Sequence, residues 1–346
     1  MLILHTADLH LTSKEPSRLK VLEWLVNKVN RKKIDYIVIA GDLFDSNTDA
    51  TILRPDVKKI FEKTKAEILI IPGNHDAESY GSNYDYGKNV RQILKKPYES
   101  LTVDDVKILA IPFQNTELSE CIIDLSNNFD ILIAHGTLYD LSILPILNDE
   151  DIEYMPIYPV DLENLCRCAL LGHIHSSYIE LNYKNIRAIY SGSPIALNTK
   201  CRTPRKIAIV RIDNKTIEIM PEEIEISPHW QNIEYFVFPG NEDKIISCIE
   251  TEITKLINKN ALLQIIVKGY ISQSENEFKQ RLNSLSEKNL PMFGSIIVDF
   301  DAIHSWDRVL KNPIVAKFVE KTSELPDELR MKIFEITFPH FSDFIK

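Results

Sequence analysis

Length, composition and charge restrict the classes to which this chain can belong. It has 346 residues, of which 44% are hydrophobic and 26% charged, and at about 150 residues per domain this length predicts roughly two domains. No apolar run reaches the ~18 residues of a membrane-spanning helix, and the first residues lack the pattern of a signal peptide. Five cysteines, with no paired spacing beyond Cys166-Arg167-Cys168, argue against a disulfide scaffold. We therefore expect a soluble cytoplasmic protein.

The net charge of −10 bears on nucleic-acid binding. Contacts from Lys and Arg to phosphates supply most of the affinity of a protein for nucleic acid, so an acidic chain is a poor unaided binder. A nuclease of this composition needs bound divalent metals or a partner subunit to reverse the local charge.

Five short apolar runs have the length and β-branched content of buried strands, at residues 2–4, 36–40, 68–71, 131–134 and 169–171. Apolar residues on single helical faces lie between the first three runs, at 19–29 and 53–61. Strands that alternate with helices predict an α/β sheet covered by helices. Strands typical of hairpins follow at 188–191, 206–212 and 216–220. We predict that a first domain with two sheets occupies residues 1–226.

The pattern changes after residue 232. Strands are predicted at 233–238, 262–271 and 293–300, with helices at 243–257 and 275–286, which together describe a small α+β domain over 233–303. Two short amphipathic helices near 313–322 and 326–337 begin after Pro313 and Pro326, and proline favours helix starts. These helices form a predicted C-terminal segment over 305–346.

Potential metal ligands follow each of the five buried strands: Asp8 and His10, Asp42, Asn74, His135, and the pair His173 and His175. Sites in open α/β sheets form at the carboxyl ends of the strands, so these side chains are expected at one rim. Carboxylate, amide and imidazole ligands without thiolate favour manganese, iron or zinc over a cysteine-based zinc site. The ligands outnumber what one ion can use, and Asp42 is the natural bridge between two ions about 3.5–4 Å apart.

The order D-x-H, G-D-x-x-D, G-N-H-D, H and G-H-x-H resembles the signature of the calcineurin-like metallophosphoesterases over roughly residues 1–200. Within that superfamily, residues 3–10 and the run Tyr190-Ser191-Gly192-Ser193-Pro194 resemble the SbcD-type DNA-repair nucleases, the bacterial counterparts of the meiotic-recombination-eleven nuclease. The resemblance implies a two-sheet metallophosphoesterase sandwich flanked by helices. A small α+β capping domain and a short C-terminal helical segment, which docks on an SbcC-type coiled-coil ATPase, are implied to follow it.

The same resemblance assigns roles to the motif residues. It implies one metal position formed by Asp8, His10, Asp42 and His175, and a second formed by Asp42, Asn74, His135 and His173. His75 is implied to face the substrate phosphate, where it stabilises developing charge or protonates the leaving oxygen. Two manganese ions per subunit are expected, with iron, zinc or magnesium as alternatives. Archaeal and eukaryotic members usually carry histidine where this chain has Asp45, which places the chain nearer SbcD and argues against a second imidazole acting with His75.

These inferences predict a metal-dependent DNA nuclease of double-strand break repair. The resemblance implies 3′→5′ exonuclease action on duplex ends, endonuclease action on single strands or hairpins, and a homodimer with two ATPase partners. Three alternatives stay open. The first is a metallophosphoesterase whose substrate is a nucleotide, another small phosphodiester or a phosphoprotein. The second is a scaffold that tethers DNA ends without cutting, and the third is an interaction module that uses only the terminal helices. The sequence contains no G-x-x-x-x-G-K-[ST], G-x-S-x-G or H-E-x-x-H motif, so any ATP use belongs to a partner.

Other polar residues have structural interpretations. The alternation of side chains along the first strand places His5 on a face of the sheet, and it is expected to be a buried, hydrogen-bonded histidine. Asp45 is expected to cap the following helix or to hydrogen-bond a ligand, and Asp76 to serve a turn or support a ligand. The basic segment 200–206 is expected either to contact the DNA backbone or to form a solvated loop. The apolar stripe of the terminal helices is expected either to pack on the capping domain or to bind a partner.

Overall fold

The computed structural model describes residues 1–123, 125, 128–143, 154–163, 165–213, 216–256, 258–338 and 340. The chain divides into two compact units, Met1–His229 and Trp230–Lys346. The predicted capping domain and C-terminal helical segment both fall in the second unit, and the end of that segment, 341–346, lies outside the described residues. Within this described portion, none of the helices combines the length and apolar character needed to cross a bilayer.

The first unit contains twelve strands and four helices among its described residues. The strands are β1 (Leu2–Thr6), β2 (Tyr36–Ala40), β3 (Glu67–Ile71), β4 (Val90–Gln92), β5 (Glu99–Val103), β6 (Val106–Ile111), β7 (Phe129–His135), β8 (Cys166–Gly172), β9 (Ile179–Tyr183), β10 (Ile186–Tyr190), β11 (Lys206–Ile212) and β12 (Ile217–Glu223). The helices are α1 (Arg18–Lys32), α2 (Asn47–Phe61), α3 (Leu118–Cys121) and α4 (Pro159–Leu162), and a 3₁₀ turn covers Ala77–Ser79.

These strands form two six-stranded sheets. The first has the order β12-β11-β1-β2-β3-β4 and the second the order β5-β6-β7-β8-β10-β9. Strands β1 to β4 are parallel to one another, and so are β6, β7, β8 and β10. Strands β11, β5 and β9 pair antiparallel with β1, β6 and β10. The carboxyl ends of β1, β2 and β3 therefore share one edge of the first sheet, and those of β7 and β8 share one edge of the second.

The two sheets pack face to face. Val38 and Leu69 of the first sheet belong to the same buried cluster as Ile133 and Leu170 of the second. Helices α1 and α2 cover the outer face of the first sheet, and a separate cluster lies on the outer face of the second. Strands buried on both faces read as continuous apolar runs, which is why the central strands were visible in the sequence. The predicted two-sheet sandwich flanked by helices is confirmed.

The second unit is an α+β domain. Its elements are β13 (Trp230–Val237), α5 (Glu242–Lys255), β14 (Asn258–Ile271), α6 (Glu275–Asn289), β15 (Phe293–Asp299), β16 (Ile303–Ser305), α7 (Trp306–Val309), α8 (Pro313–Thr322) and α9 (Asp327–Thr337), with a 3₁₀ turn at Leu290–Met292. Strand β14 pairs in parallel with β13, β15 and β16. Ile249 of α5 and Phe278 of α6 share a buried cluster with Ile265 and Val267 of β14.

The terminal helices α8 and α9 pack on this domain. Val315, Phe334 and Phe338 form a buried cluster with Phe238 and Tyr270. The apolar stripe of these helices was expected either to pack on the predicted capping domain or to bind a partner, and the structure shows it packed on this α+β domain. Apolar side chains also remain exposed on the outer surface of these helices, namely Ile314, Leu329 and Ile336.

Candidate metal centre

Two loops carry the first ligands past the edge of the first sheet. The backbone N–H of Asp8 donates to Gly41 O at 3.1 Å, and that of His10 donates to Asp42 O at 3.1 Å. The pairing of β1 with β2 therefore continues beyond the strands into the ligand loops. This continuation places the side chains that follow two neighbouring strands next to each other.

Four predicted ligands converge at this edge: Asp8, His10, Asp42 and His175 each offer a donor atom, and these atoms all lie within 4.8 Å of one another. The Nε2 atoms of His10 and His175 are 3.1 Å apart. Asp42 Oδ2 lies 3.7 Å from His10 Nε2, and Asp8 Oδ1 lies 3.9 Å from His175 Nε2. The structure thus assembles the residues of the first predicted metal position from three strand ends.

The second predicted position lies on the other side of Asp42. His135 Nε2 is 3.0 Å from Asn74 Oδ1 and 3.4 Å from Asp42 Oδ2. The ring of His173 has its centroid 5.3 Å from that of His135, and the backbone N–H of His173 donates to both carboxylate oxygens of Asp8 at 3.0 Å. One imidazole nitrogen from each predicted position therefore lies within 3.7 Å of the same oxygen, Asp42 Oδ2.

Hydrogen bonds orient two of the imidazoles. His135 Nδ1 lies 2.8 Å from Ala40 O, to which it donates, and His10 Nδ1 lies 3.1 Å from Asp45 Oδ1. An imidazole whose Nδ1–H is held in this way presents the lone pair of Nε2, which is the usual arrangement of histidine ligands to metals. Both Nε2 atoms point toward the other donor atoms of the site.

Burial and mutual proximity shift the pKa values of the site in opposite directions. Burial raises the pKa of Asp8 to about 7, although His135 acts against this shift. Burial alone would raise the pKa of Asp42, but the neighbouring histidines, His135 foremost, hold it well below its usual value. Burial would likewise lower the pKa of His135, but the adjacent Asp42 raises it to about 9. The site therefore concentrates charge in a buried space, which a divalent cation can stabilise.

Asp42 Oδ2 is a buried oxygen that accepts no hydrogen bond from the described residues. Buried carboxylate oxygens in proteins are normally hydrogen-bonded or coordinated to a metal. Its neighbours are nitrogen atoms of His10 and His135 at 3.7 and 3.4 Å. The donor set and this oxygen fit a pair of divalent cations.

Two glycines allow the loops to approach this closely. A Cβ at Gly41, whose φ is +92°, would lie 2.1 Å from His135 Nδ1, and a Cβ at Gly73 would lie 2.0 Å from Asp42 Oδ1. No side chain fits at such distances, so only glycine permits this packing of the ligand loops.

His75 and Asp76 follow Asn74 but occupy different environments. His75 is exposed, its backbone N–H donates to Asp42 Oδ1 at 2.9 Å, and its Nδ1 lies 3.2 Å from Asp45 O. Asp76 is buried and accepts hydrogen bonds from the Tyr80 hydroxyl and from the backbone N–H groups of Gly73 and Phe44. His75 is thus accessible to solvent beside the ligands, whereas Asp76 connects the ligand loops.

The structural interpretations of other polar residues have mixed outcomes. His5 is fully buried as expected, but neither of its ring nitrogens has a hydrogen-bond partner among the described residues, and burial lowers its pKa to about 4. Ser46, not Asp45, caps α2 by accepting from Asp49 N, so the capping interpretation of Asp45 is wrong and its contact with His10 is the alternative that the structure shows. In the basic segment 200–206 the expectation of a solvated or DNA-contacting residue is wrong for Arg205, which is 1% exposed. Nothing in the local sequence distinguishes this arginine from its exposed neighbours.

Comparison with known proteins places these features in a family. The family profile described as calcineurin-like phosphoesterase matches residues 1–179. The SbcD component of nuclease SbcCD from Staphylococcus saprophyticus is 25% identical over 261 residues, which cover 63% of this chain and 67% of that protein. The protein of the same name in Staphylococcus epidermidis is 25% identical over 232 residues, which cover 56% of this chain and 61% of that protein. The chain thus spans about three fifths to two thirds of the length of these curated relatives. Among solved structures, a dimetal phosphatase from Danio rerio is 9% identical with a TM-score of 0.43, over 64% of this chain and 96% of that one.

Proposed function

This chain belongs to the calcineurin-like phosphoesterase family, and from that premise we propose that it is a two-metal nuclease that hydrolyses phosphodiester bonds in DNA. Family membership makes it a metal-dependent phosphoesterase, a hydrolase whose fold implies a divalent dimetal site. The main support for the proposal is the convergence of ligands on both sides of Asp42, with His10 and His135 facing its Oδ2 atom.

Each metal position has its own set of ligands in this proposal. Asp8, His10, Asp42 and His175 hold one ion, and Asp42, Asn74, His135 and His173 hold the other. When bound, the two ions polarise the phosphoryl oxygens and activate water for attack on phosphorus. The mixture of carboxylate, amide oxygen and imidazole suits manganese, and iron, zinc or magnesium are the alternatives.

The chain's own residues orient the ligands and assist the leaving group. Ala40 O and the Asp45 carboxylate hold His135 and His10 through their Nδ1 atoms, which keeps each Nε2 directed into the site. His75 is exposed beside the ligands and uses Nδ1 toward Asp45 O. Its Nε2 therefore remains for the substrate, where the side chain serves as general acid toward the departing sugar oxygen.

DNA as substrate is supported by the name of the curated relatives, which identifies them as components of the nuclease SbcCD. On this basis we propose 3′→5′ exonuclease action on duplex ends and endonuclease action on hairpins or single strands. The protein would act in double-strand break repair in the cytoplasm, as a homodimer with an SbcC-type ATPase. Since the chain carries a net charge of −10, we expect the ATPase to supply much of the affinity for DNA.

We propose three parts with separate roles. Residues 1–226 form the nuclease domain, 233–303 the capping domain, and 305–346 the segment that docks on the ATPase. Ile314, Leu329 and Ile336 support the last assignment because they are exposed apolar side chains on α8 and α9. Exposed apolar side chains of this kind can pack against a partner's coiled coil.

A cleavage assay with two substrates tests the proposed activity. In Mn²⁺, the full chain is expected to cut hairpin DNA, alone or with an SbcC-type ATPase, and Asp42→Asn is expected to abolish cutting because the bridging carboxylate is lost. Turnover of bis-p-nitrophenyl phosphate without any DNA cleavage would favour the small-phosphodiester alternative. Retention of DNA ends without cleavage of either substrate would favour the tethering scaffold.

A second variant tests the role of His75. His75→Ala is expected to lower the cleavage rate about 10²–10⁴-fold, the usual contribution of a general acid, while Mn²⁺ binding measured by calorimetry stays unchanged. His229→Ala, outside the ligand loops, serves as the control and should cut at the wild-type rate. If His75→Ala cut DNA as fast as the wild type, the role assigned to this imidazole would be wrong.

A further inference from the structure

The Arg205 side chain is buried next to the loop that carries His175. Its exposed fraction is 1%. Its guanidinium donates from Nε to Ser193 O at 2.9 Å, from Nη1 to Ser176 O at 2.8 Å and from Nη2 to His175 O at 2.9 Å. All three nitrogen atoms of this side chain are thus used on backbone carbonyls.

These hydrogen bonds join two loops at the edge of the second sheet. One loop follows β8 and contains His175 and Ser176, and the other follows β10 and contains Ser193. The carbonyl of His175 also accepts the backbone N–H of Ser193 at 3.2 Å. Gly192 lies against the guanidinium, since a Cβ there would be 2.9 Å from Arg205 Nη2. The backbone of His175 is therefore fixed on one side by Arg205 and the loop after β10.

Burial of this cation is costly. Among the described residues, no carboxylate forms an ion pair with Arg205, and burial lowers the pKa of its guanidinium. Burying a charge without a counter-charge is unfavourable, and apolar residues of similar volume commonly stabilise a core as well or better. The planar, three-pronged guanidinium can, however, hold several carbonyls in fixed directions, which neither an apolar side chain nor a lysine does.

His175 needs such a support more than His10 and His135 do. His10 and His135 are each oriented through Nδ1, by Asp45 and by Ala40 O. The hydrogen bonds of the described residues give the His175 ring no partner other than His10, at 3.1 Å between the Nε2 atoms. The orientation of His175 therefore depends on its backbone, and the His175 backbone depends on Arg205.

We propose that Arg205 is a positioning residue that holds His175 in place and thereby sets the affinity of the metal position that His175 completes. This inference rests on the proposed function, because it takes His175 to be a metal ligand. The charge of Arg205 and its support of the His175 backbone predict opposite effects of its removal on metal affinity. A buried cation near the site repels a divalent metal, so removal of its charge alone would tighten binding, whereas loss of the support weakens it.

Mn²⁺ binding to the full chain tests this role. Calorimetry and the electron paramagnetic resonance signal of free Mn²⁺ give the affinity of each position for wild type, Arg205→Lys, Arg205→Met and the reference His175→Ala. We expect two ions on the wild type and one weakened position in His175→Ala. Arg205→Lys is expected to weaken that same position by about 10–100-fold, as supporting residues around metals commonly do, and Arg205→Met at least as much. The control is Arg211→Met on the same strand β11, where Arg211 is exposed and pairs with Glu218 at 2.9 Å; its Mn²⁺ affinity should equal that of the wild type.

The outcomes separate this inference from the proposed function. If the wild type binds no Mn²⁺, the proposed metal centre fails, whatever the variants do. If the wild type binds two ions and Arg205→Lys binds them with unchanged affinity, Arg205 has no positioning role and the inference is overturned, even when the melting temperature of the metal-free variant falls. Tighter binding by Arg205→Met would overturn it in favour of a purely electrostatic effect. If Arg205→Met does not fold, Arg205→Lys decides, because it keeps the charge and the apolar stem.

Discussion

The ligand residues adopt backbone conformations that side chains seldom adopt. Asp8, His10 and Asp42 have φ values of 55°, 44° and 48°, and His173 has a φ of 105°. Each such residue costs on the order of 1–3 kcal/mol, and surrounding contacts must offset this cost. At this site the offsetting contacts are the hydrogen bonds between the two ligand loops and those from His173 N to Asp8. Sharp turns of this kind follow β1, β2 and β8, where they place the ligand side chains at the edge of the sheets.

His5 predicts a pH dependence of stability that is separate from the metal site. Burial lowers its pKa to about 4, while the carbonyls of Leu171 and Ile189 act weakly against this shift. The unfolded chain binds a proton below a pH of about 6.5 and the folded chain does not until about 4, so stability is lost as the pH falls through this window. Between pH 7.5 and 5 the loss from His5 is expected to be about 2 kcal/mol.

Urea unfolding of the metal-free protein at both pH values measures this contribution. His5→Gln removes the titrating group, and its free energy of unfolding should fall about 2 kcal/mol less than that of the wild type over the same interval. The other histidines titrate in both proteins, so the difference isolates His5. Equal losses in the two proteins would show that His5 is not buried in the neutral form.

At the scale of elements, the loops after β1 and β2 behave as one unit. Leu11 N donates to Leu43 O at 3.0 Å, and Asp45 N donates to Leu11 O at 3.1 Å. Asp49, in the first turn of α2, ties these loops together. Its carboxylate accepts from the side chain of Thr12, the backbone and side chain of Ser13, and the side chain of Ser46. The position of His10 therefore depends on an aspartate that takes no part in metal binding.

Removal of Asp49 is expected to loosen both loops. Asp49→Ala should lower the free energy of unfolding by about 3 kcal/mol, because several hydrogen bonds to a charged acceptor are lost and their donors are left without a partner. Mn²⁺ affinity should fall with it, since the loop that carries His10 loses its hydrogen bonds from Thr12 and Ser13 to Asp49. Asp56→Ala is the matched control on the same helix: Asp56 is about half exposed and pairs with Lys59, so it should change stability by less than about 0.5 kcal/mol. Denaturant titration that gave Asp49→Ala the stability of the control would contradict this account.

The sequence predicted some elements much better than others. Strands β1, β2, β3, β7 and β8 were found because each is a short β-branched run buried on both faces. The edge strands β4, β5 and β9 were not predicted, because they are short and polar: β5 reads Glu-Ser-Leu-Thr-Val and has one buried residue, Leu101. Strand β6 was also not predicted, although it reads Val-Lys-Ile-Leu-Ala-Ile and every residue except Lys107 is buried. The single-turn helices α3 and α4 are likewise too short for a period of 3.6 residues to be visible.

In the candidate site, too, some roles could be predicted from the local sequence and others could not. The ligand candidates could be proposed from sequence because each is the last residue of its strand or follows it by at most four residues, so their convergence depends on local order and sheet topology. The roles of Asp45 and Arg205 depend on contacts over 35 and 30 residues, to His10 and to the His175 carbonyl. Arg205 lies in a basic run with Lys200 and Arg202, and composition there favours solvent exposure. Only the three-dimensional arrangement shows that this one arginine is buried.

At the scale of the whole molecule, the unit that contains the proposed metal ligands and the second unit have separate hydrophobic cores. All of the proposed ligands lie in Met1–His229, whose buried clusters contain only residues of that unit. The clusters that include α5, α6, α8 and α9 contain only residues of Trp230–Lys346. The free energy of metal binding should therefore stabilise the first unit directly.

The three tryptophans allow this to be measured. Trp24 lies in the first unit, and Trp230 and Trp306 lie in the second. We expect Mn²⁺ at 100 times its dissociation constant to add about 2.7 kcal/mol to the first unit. For a unit of this size, that raises the unfolding temperature reported by Trp24 by roughly 5–10 °C. The temperature reported by Trp306 should stay unchanged.

Fluorescence melting of two variants provides the comparison, one with Trp24 as its only tryptophan and one with Trp306 as its only tryptophan. Adding Asp42→Asn to the first should abolish the Mn²⁺-dependent shift, because it removes the carboxylate that both metal positions share, and this controls for nonspecific effects of the ion. Equal shifts at Trp24 and Trp306 would show that the two units unfold as one cooperative body. In that case metal binding at the ligand loops would also stabilise the second unit, and the two units would not unfold independently despite their separate hydrophobic cores.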